Sequence, residues 1–140
     1  MKVTLARKNN DYLFHGTGKT GIEIPIDNTS EPNAQGASPM ELLLMGVGAC
    51  SAIDVVYILK KQRQEITAYT MEVEGERTEV AQAKPFKAAK ITLFLEGDIQ
   101  PEKALRAAAL SFEKYCSVSL TLEPCVTVSY QVVLNGTPIQ

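Results

Sequence analysis

The side chains best suited to redox or nucleophilic chemistry in this sequence are three cysteines, Cys50, Cys116 and Cys125, and a single histidine, His15. Cys50 lies in "GACSAIDVV" (48–56), inside the most apolar part of the chain. Two readings compete there: a small core hydrophobe, because free cysteine is among the most buried residue types, or a reactive thiol. A mid-helix position denies Cys50 the helix N-terminal field that commonly favours a thiolate. Asp54, four residues on, faces the same side and disfavours a second negative charge. A reactive Cys50 therefore needs a cation from elsewhere in the fold. Gly46 and Gly48 each cost about 1 kcal/mol inside a helix, which points to close approach of another backbone, or room for a ligand, beside Cys50. Cys116 closes the run "FEKYC", and its neighbours Tyr115 and Val118 suit packing as well as redox work. Cys125, at the head of an alternating strand, reads as structural.

Other chemistries find less support. Ser-His-Asp catalysis and histidine-rich zinc sites both depend on His15, which at a strand end reads as a surface or packing residue. The cysteines lack the short C-x₂₋₄-C spacing of zinc sites, so spacing marks no metal site. "GTGKTG" (16–21) resembles a P-loop, but that motif requires glycine at position 13, which is Leu13, and strand-like sequence follows where a helix is needed. A turn is the better reading.

Composition sets the frame. At 140 residues, 45% of them hydrophobic and 21% charged, the chain is expected to be one domain, 1–140, with a working core. The net charge is −2, and the densest basic patch, "LKKQR" (59–63), is a helix C-terminus with cations on its dipole, so no nucleic-acid footprint is read. No secretory leader is read at the N-terminus, and the longest apolar run, 42–50, falls short of the roughly twenty residues of a membrane span. An odd cysteine count at wide spacings does not match a secreted disulfide framework. A soluble, cytoplasmic protein that engages neither nucleic acid nor membrane is expected.

The elements that must position the cysteines follow from local pattern. "KVTLAR" and "DYLFHG" form a hairpin across "KNN", and "GIEIPID" alternates as a third strand. A polar connection over 28–38 is long enough to be a functional loop or a crossing to a partner subunit. Ser38 as N-cap, Pro39 at the first helical position and Glu41 three residues after the serine make a capping box, and Lys60, Lys61 and Arg63 close the far end. The predicted helix is about 25 residues, roughly 37 Å long. It is apolar nearly all round, as a helix inside a core or an interface is, and one subunit this small can hardly cover it. A dimer that shares the burial is expected. Two long strands follow, "TAYTMEVEGERTE" and "KAAKITLFLEGD". A second helix runs from Pro101 to Cys116, with Ala104, Leu105, Ala108 and Phe112 on one face. "SVSLTLEPC" is a short helical turn or loop, and "VTVSYQVVL" is a final strand. The predicted order is βββ-α-ββ-α-β, an α+β fold of mainly antiparallel sheets around a long buried central helix.

Two separated stretches, "SPMELLLMGVGACSAIDVV" and "EKYCSVSLTLE", resemble the OsmC/Ohr family of osmotically inducible and organic hydroperoxide resistance proteins. The likeness is closest to its uncharacterised branch carrying "ACSAIDVV" and covers almost the whole chain. The resemblance implies an intertwined homodimer with two long helices at its centre and active sites at the subunit interface. It implies a thiol peroxidase in which Cys50 attacks the peroxide O–O bond to become a sulfenic acid and Cys116 resolves it as a disulfide. No bound cofactor is implied; a dithiol or a lipoylated protein supplies the reducing equivalents. Two positions depart from the family pattern. Family peroxidases carry glutamate directly after the helix-opening proline, where this chain has Met40. Their arginine lies in a turn of the N-terminal strands, and here the turn is "KNN" with Arg7 ahead of it. Neither residue is carried over, so the cation beside Cys50 is not identified. The alternatives are a non-peroxidatic dimer that binds a small apolar or thiol-containing ligand, and a structural dimer with inert thiols.

Overall fold

The computed structural model describes residues 1–140 and divides into two compact units, Met1–Leu43 and Leu44–Gln140. In the first, β1 (Thr4–Arg7), β2 (Phe14–Thr17) and β3 (Glu23–Ile26) form an antiparallel sheet in that order. The β1–β2 loop is closed by the Lys8 N–H on the Leu13 carbonyl at 2.9 Å, and the Arg7 guanidinium donates to the Asn10 and Asp11 carbonyls of the same loop. "GTGKTG" is the turn between β2 and β3, with Gly21 at φ 77° and its N–H on the Gly18 carbonyl. The register places Leu5, Phe14, Ile24 and Ile26 on one face, yet Leu5, Phe14 and Ile24 are exposed, and Leu13 is the unit's only buried side chain.

The expected long helix is α1 (Pro39–Lys61). Its capping box forms as read: Ser38 N–H donates to Glu41 Oε2 at 2.7 Å, and Glu41 N–H to Ser38 Oγ at 3.2 Å. The other end closes in a Schellman arrangement around Arg63 at φ 55°, with Gln64 N–H on the Leu59 carbonyl and Arg63 N–H on that of Lys60. Val47, Gly48, Ser51, Val55 and Leu59 form a buried stripe, while Leu43, Met45, Ile53 and Tyr57 stay exposed. α1 is long and apolar enough to cross a membrane, a test that the core helix of a soluble protein also passes.

The second unit is built on β4 (Glu65–Arg77), β5 (Phe86–Asp98), β6 (Thr127–Leu134) and β7 (Thr137–Ile139), in that sheet order. β5 pairs antiparallel with β4 and parallel with β6. Its Ala89, Ile91, Leu93 and Leu95 alternate into the core. A parallel pair needs a long crossover, and α2 (Pro101–Leu110), a π-turn (Ser111–Tyr115) and α3 (Ser117–Leu122) supply it. Phe112 stacks on Tyr130 of β6 with ring centroids 4.5 Å apart.

The α+β architecture is thus the expected one, with three refinements. The helix expected from Pro101 through Cys116 changes at Leu110 into the π-turn, "SVSLTL" is a true helix, and a seventh strand follows Asn135 and Gly136. Those two residues, at φ 49° and 78°, make the two-residue turn that closes a hairpin. The expected close approach at the α1 glycines is real at one position only. A Cβ on Gly48 would lie 2.9 Å from Val73 Cγ2 of β4, a side chain rather than a backbone, whereas one on Gly46 would sit at an ordinary 3.9 Å from Val118. Both substitutions gain the same helix propensity, so Gly48→Ala is expected to be less stable than Gly46→Ala by about 1–3 kcal/mol of overpacking. Denaturant midpoints of the two variants measure this, and equal midpoints would mean that Val73 moves aside without cost.

Candidate functional site

α1 presents Cys50 and Asp54 one turn apart at the edge of its buried stripe, both half-buried. Ser51 between them is fully buried, but its hydroxyl is consumed by the Val47 and Gly48 carbonyls at 3.0 and 2.9 Å. It is a satisfied polar group rather than a chemical one.

The π-turn brings the second thiol to this edge. Ser111 opens the turn and acts twice. Its carbonyl accepts the Cys116 N–H at 2.8 Å, the i to i+5 bond that widens the turn, and its buried hydroxyl donates to Asp54 Oδ2 at 3.0 Å. Cys116 then caps α3, its Sγ accepting the Ser119 N–H at 3.4 Å and lying 4.0 Å from the Val47 carbonyl. The Cys50 and Cys116 sulfurs and a carboxylate oxygen of Asp54 lie within 4.8 Å of one another, and both thiols are free. A disulfide between them requires the sulfurs to close to about 2.05 Å.

Burial, the largest cause, and the adjacent Cys50 push the Cys116 thiol up to about 11, against the Ser119 N–H, which pulls it down. No lysine, arginine or histidine is among the groups acting on it. Beside the trio runs a cleft of about 490 Å³, lined by Asp54, Tyr57, Ile58, Lys61, Leu110 and Tyr115 among others. In it the Lys61 ammonium sits 4.5 Å above the Tyr57 ring.

Cys50 and Cys116 are therefore brought together, and Asp54 joins them. Cys125 is exposed and stands outside the trio. His15 is engaged with Glu23 of β3 at 2.6 Å, and Glu23 also holds Lys8 at 2.9 Å. Arg7 spends its donors on its own loop. Sequence reading missed Ser111 and Ser119. Ser111 had one available signal: a polar residue on the stripe of Ala104, Ala107 and Ala108, at helical spacing.

Residues 32–131 match the model of the OsmC-like protein family. Protein YhfA of Escherichia coli K12 is 42% identical over 123 residues, covering 86% of this chain and 90% of its own. The crystal structure of a hypothetical protein from Aquifex aeolicus is similar at a TM-score of 0.79 and 32% identity, over 96% of each chain. An organic hydroperoxide resistance protein from Elizabethkingia anophelis shares the fold at a TM-score of 0.73 and 14% identity, over 96% of this chain and 97% of that one.

The raised Cys116 value has a thermodynamic consequence. A thiol whose folded value lies above its ordinary value near 9 contributes stability that is fully present below that value and is lost as pH rises through about 11. Wild type is therefore expected to lose stability relative to Cys116→Ala as pH climbs from 9 to 11, read from unfolding curves of the reduced proteins across that window. A pH-independent difference would show that Cys116 is not perturbed. Removing the neighbour in Cys50→Ala lowers the Cys116 titration, followed by thiolate absorbance.

Proposed function

The chain belongs to the OsmC-like protein family, and on that premise we propose that it reduces organic hydroperoxides with Cys50 and Cys116 as a thiol/disulfide pair. The observation that carries this reading is the convergence of two free sulfurs, 66 positions apart in sequence, to within 4.8 Å beside a half-buried cleft. Cys50, the less buried of the two, attacks the distal peroxide oxygen. The O–O bond breaks, the alcohol leaves with a proton, and Cys50 holds a sulfenic acid. The Cys116 sulfur then displaces the hydroxyl as water and the S–S bond forms. Asp54, with a carboxylate oxygen within 4.8 Å of both sulfurs, accepts the thiol proton directly after a small approach or through one water and returns it to the leaving oxygen. An external dithiol restores the pair by exchange, and the cytoplasm, where thiols are kept reduced, is the proposed setting.

We further propose a homodimer. Leu5, Phe14 and Ile24 on the first sheet and Met45, Ile53 and Tyr57 on α1 are exposed in the single chain. Short three-stranded sheets and apolar helices of this kind need a covering surface.

With excess dithiol, wild type is expected to consume an alkyl hydroperoxide and Cys50→Ser to lose that turnover by at least about 100-fold, the scale on which loss of a nucleophile registers. Without dithiol, Cys116→Ser should consume one equivalent of hydroperoxide and hold a trapped sulfenic acid. Wild-type turnover indistinguishable from Cys50→Ser, with no Cys50–Cys116 disulfide after peroxide, would leave a ligand-binding or inert thiol pair instead. Light scattering is expected to give a dimer, and Ile53→Asp to weaken it by about 2 kcal/mol or more, a burial penalty for an unpaired charge. A monomer at micromolar concentration, or recovery only with bilayers, would sink this part.

A further inference from the structure

We propose that Cys50, Asp54 and Cys116 form a binding site for a thiophilic divalent cation, Zn²⁺, and that its occupancy and the disulfide exclude each other. Two sulfurs and one carboxylate oxygen within 4.8 Å of one another approximate three corners of a tetrahedron. At Zn–S of about 2.3 Å and Zn–O of about 2.1 Å, those corners are separated by about 3.5–3.8 Å, so closure takes a contraction of about 1 Å. Two soft thiolates with one carboxylate suit zinc; magnesium and calcium call for oxygen alone.

The trio also carries the outer contacts that metal ligands characteristically have. The Ser111 hydroxyl holds one carboxylate oxygen of Asp54 at 3.0 Å, and the Ser119 N–H points at the Cys116 sulfur at 3.4 Å. These contacts fix two of the three ligands before any cation arrives. Asp54 also lines the 490 Å³ cleft, and water or an exogenous ligand from that side is the proposed fourth ligand. Spacing does not reveal such a site because its ligands come from two elements: Cys50 and Asp54 one turn apart on α1, and Cys116 from the start of α3.

Loading releases two protons, as Zn²⁺ replaces the hydrogens of the two thiols. A hydroperoxide that oxidises the loaded site takes two electrons from the sulfurs: the O–O bond breaks, the S–S bond forms, and two protons are consumed. The products are alcohol, water and free Zn²⁺. Binding itself stands apart from the peroxidase reading; the release step rests on it.

Reduced protein is titrated anaerobically with Co²⁺ as a spectroscopic probe. The expected result is one equivalent per chain with a near-ultraviolet sulfur-to-cobalt charge-transfer band and intense visible bands of tetrahedral cobalt, displaced by Zn²⁺. Cys50→Ser and Cys116→Ser should lose the charge-transfer band. Asp54→Asn should weaken binding at least tenfold and Ser111→Ala about tenfold, the effect of an outer-shell partner. Cys125→Ser should bind as wild type does. A band that vanishes in Cys125→Ser, weak absorption of octahedral type, or affinity unchanged in Asp54→Asn would each overturn the site. Alkyl hydroperoxide added to the zinc-loaded protein should deliver one zinc to a chromogenic chelator per disulfide formed. Zinc retained while the disulfide forms would overturn the exclusion. Zinc bound with no disulfide after peroxide would leave the site standing and sink the peroxidase reading.

Discussion

Ser111 is the residue on which the arrangement of the two thiols depends. Its hydroxyl donates to Asp54 across 57 positions of sequence, and its carbonyl receives the Cys116 N–H that closes the π-turn. One residue thus anchors the end of α2 to α1 and sets where the chain delivers Cys116. A hydrogen bond to a charged carboxylate is worth about 1.5–3 kcal/mol, which favours the rare widened turn. Without that bond the most favourable continuation of α2 is ordinary α-helix. Each residue between Ser111 and Cys116 would then advance by the normal angle, and Cys116 would be re-aimed relative to Cys50.

The same dependence explains which elements were legible in the sequence. The start of α1 rests on contacts within three residues, and Ser38, Pro39 and Glu41 declared it. Its end is closed by Arg63 in a left-handed conformation that glycine usually supplies, so only the lysines and arginine nearby marked it. The strands β4 and β5 follow from alternation. The π-turn was not legible, because its cause is a partner on another helix. β7 did have a local signal, the Asn-Gly pair that favours a two-residue hairpin. That signal is reinforced from a distance: Asn135 receives the Gly97 N–H at 3.0 Å and donates to the Gly97 carbonyl at 3.1 Å. Gly97 lies at φ 141° opposite a β4 irregularity, and a Cβ there would meet the Glu65 carbonyl oxygen at 2.0 Å. The turn after β6 and the end of β5, opposite the β4 bulge, therefore hold each other in place.

For the site, helical spacing alone put Asp54 on the side of Cys50, and family resemblance paired Cys50 with Cys116. The residues that fix the geometry, Ser111 and Ser119, act through a hydroxyl and a backbone N–H; the helical stripe marks Ser111 as buried but not its partner, and no linear pattern marks Ser119. The glycine signal was half informative. Gly48 is required by the Val73 side chain, while within the single chain Gly46 meets nothing closer than ordinary contact.

The electrostatics of the trio constrain what chemistry it can host. Every charge or potential charge in it is negative, and Cys116 sits where burial and a neighbouring thiol both oppose ionisation. Such a cluster is stable only while protons, a covalent S–S bond or a cation offsets the repulsion. Protonated, it is the free dithiol of this structure; oxidised, the two sulfurs share one bond and carry no charge. Asp54 takes its donor from Ser111, a contact that involves neither sulfur. Proximity, more than ionisation of Cys116, is what the fold supplies. No cation is among the groups acting on Cys116, so the fold gives that thiol closeness to Cys50 without the charge that would ionise it.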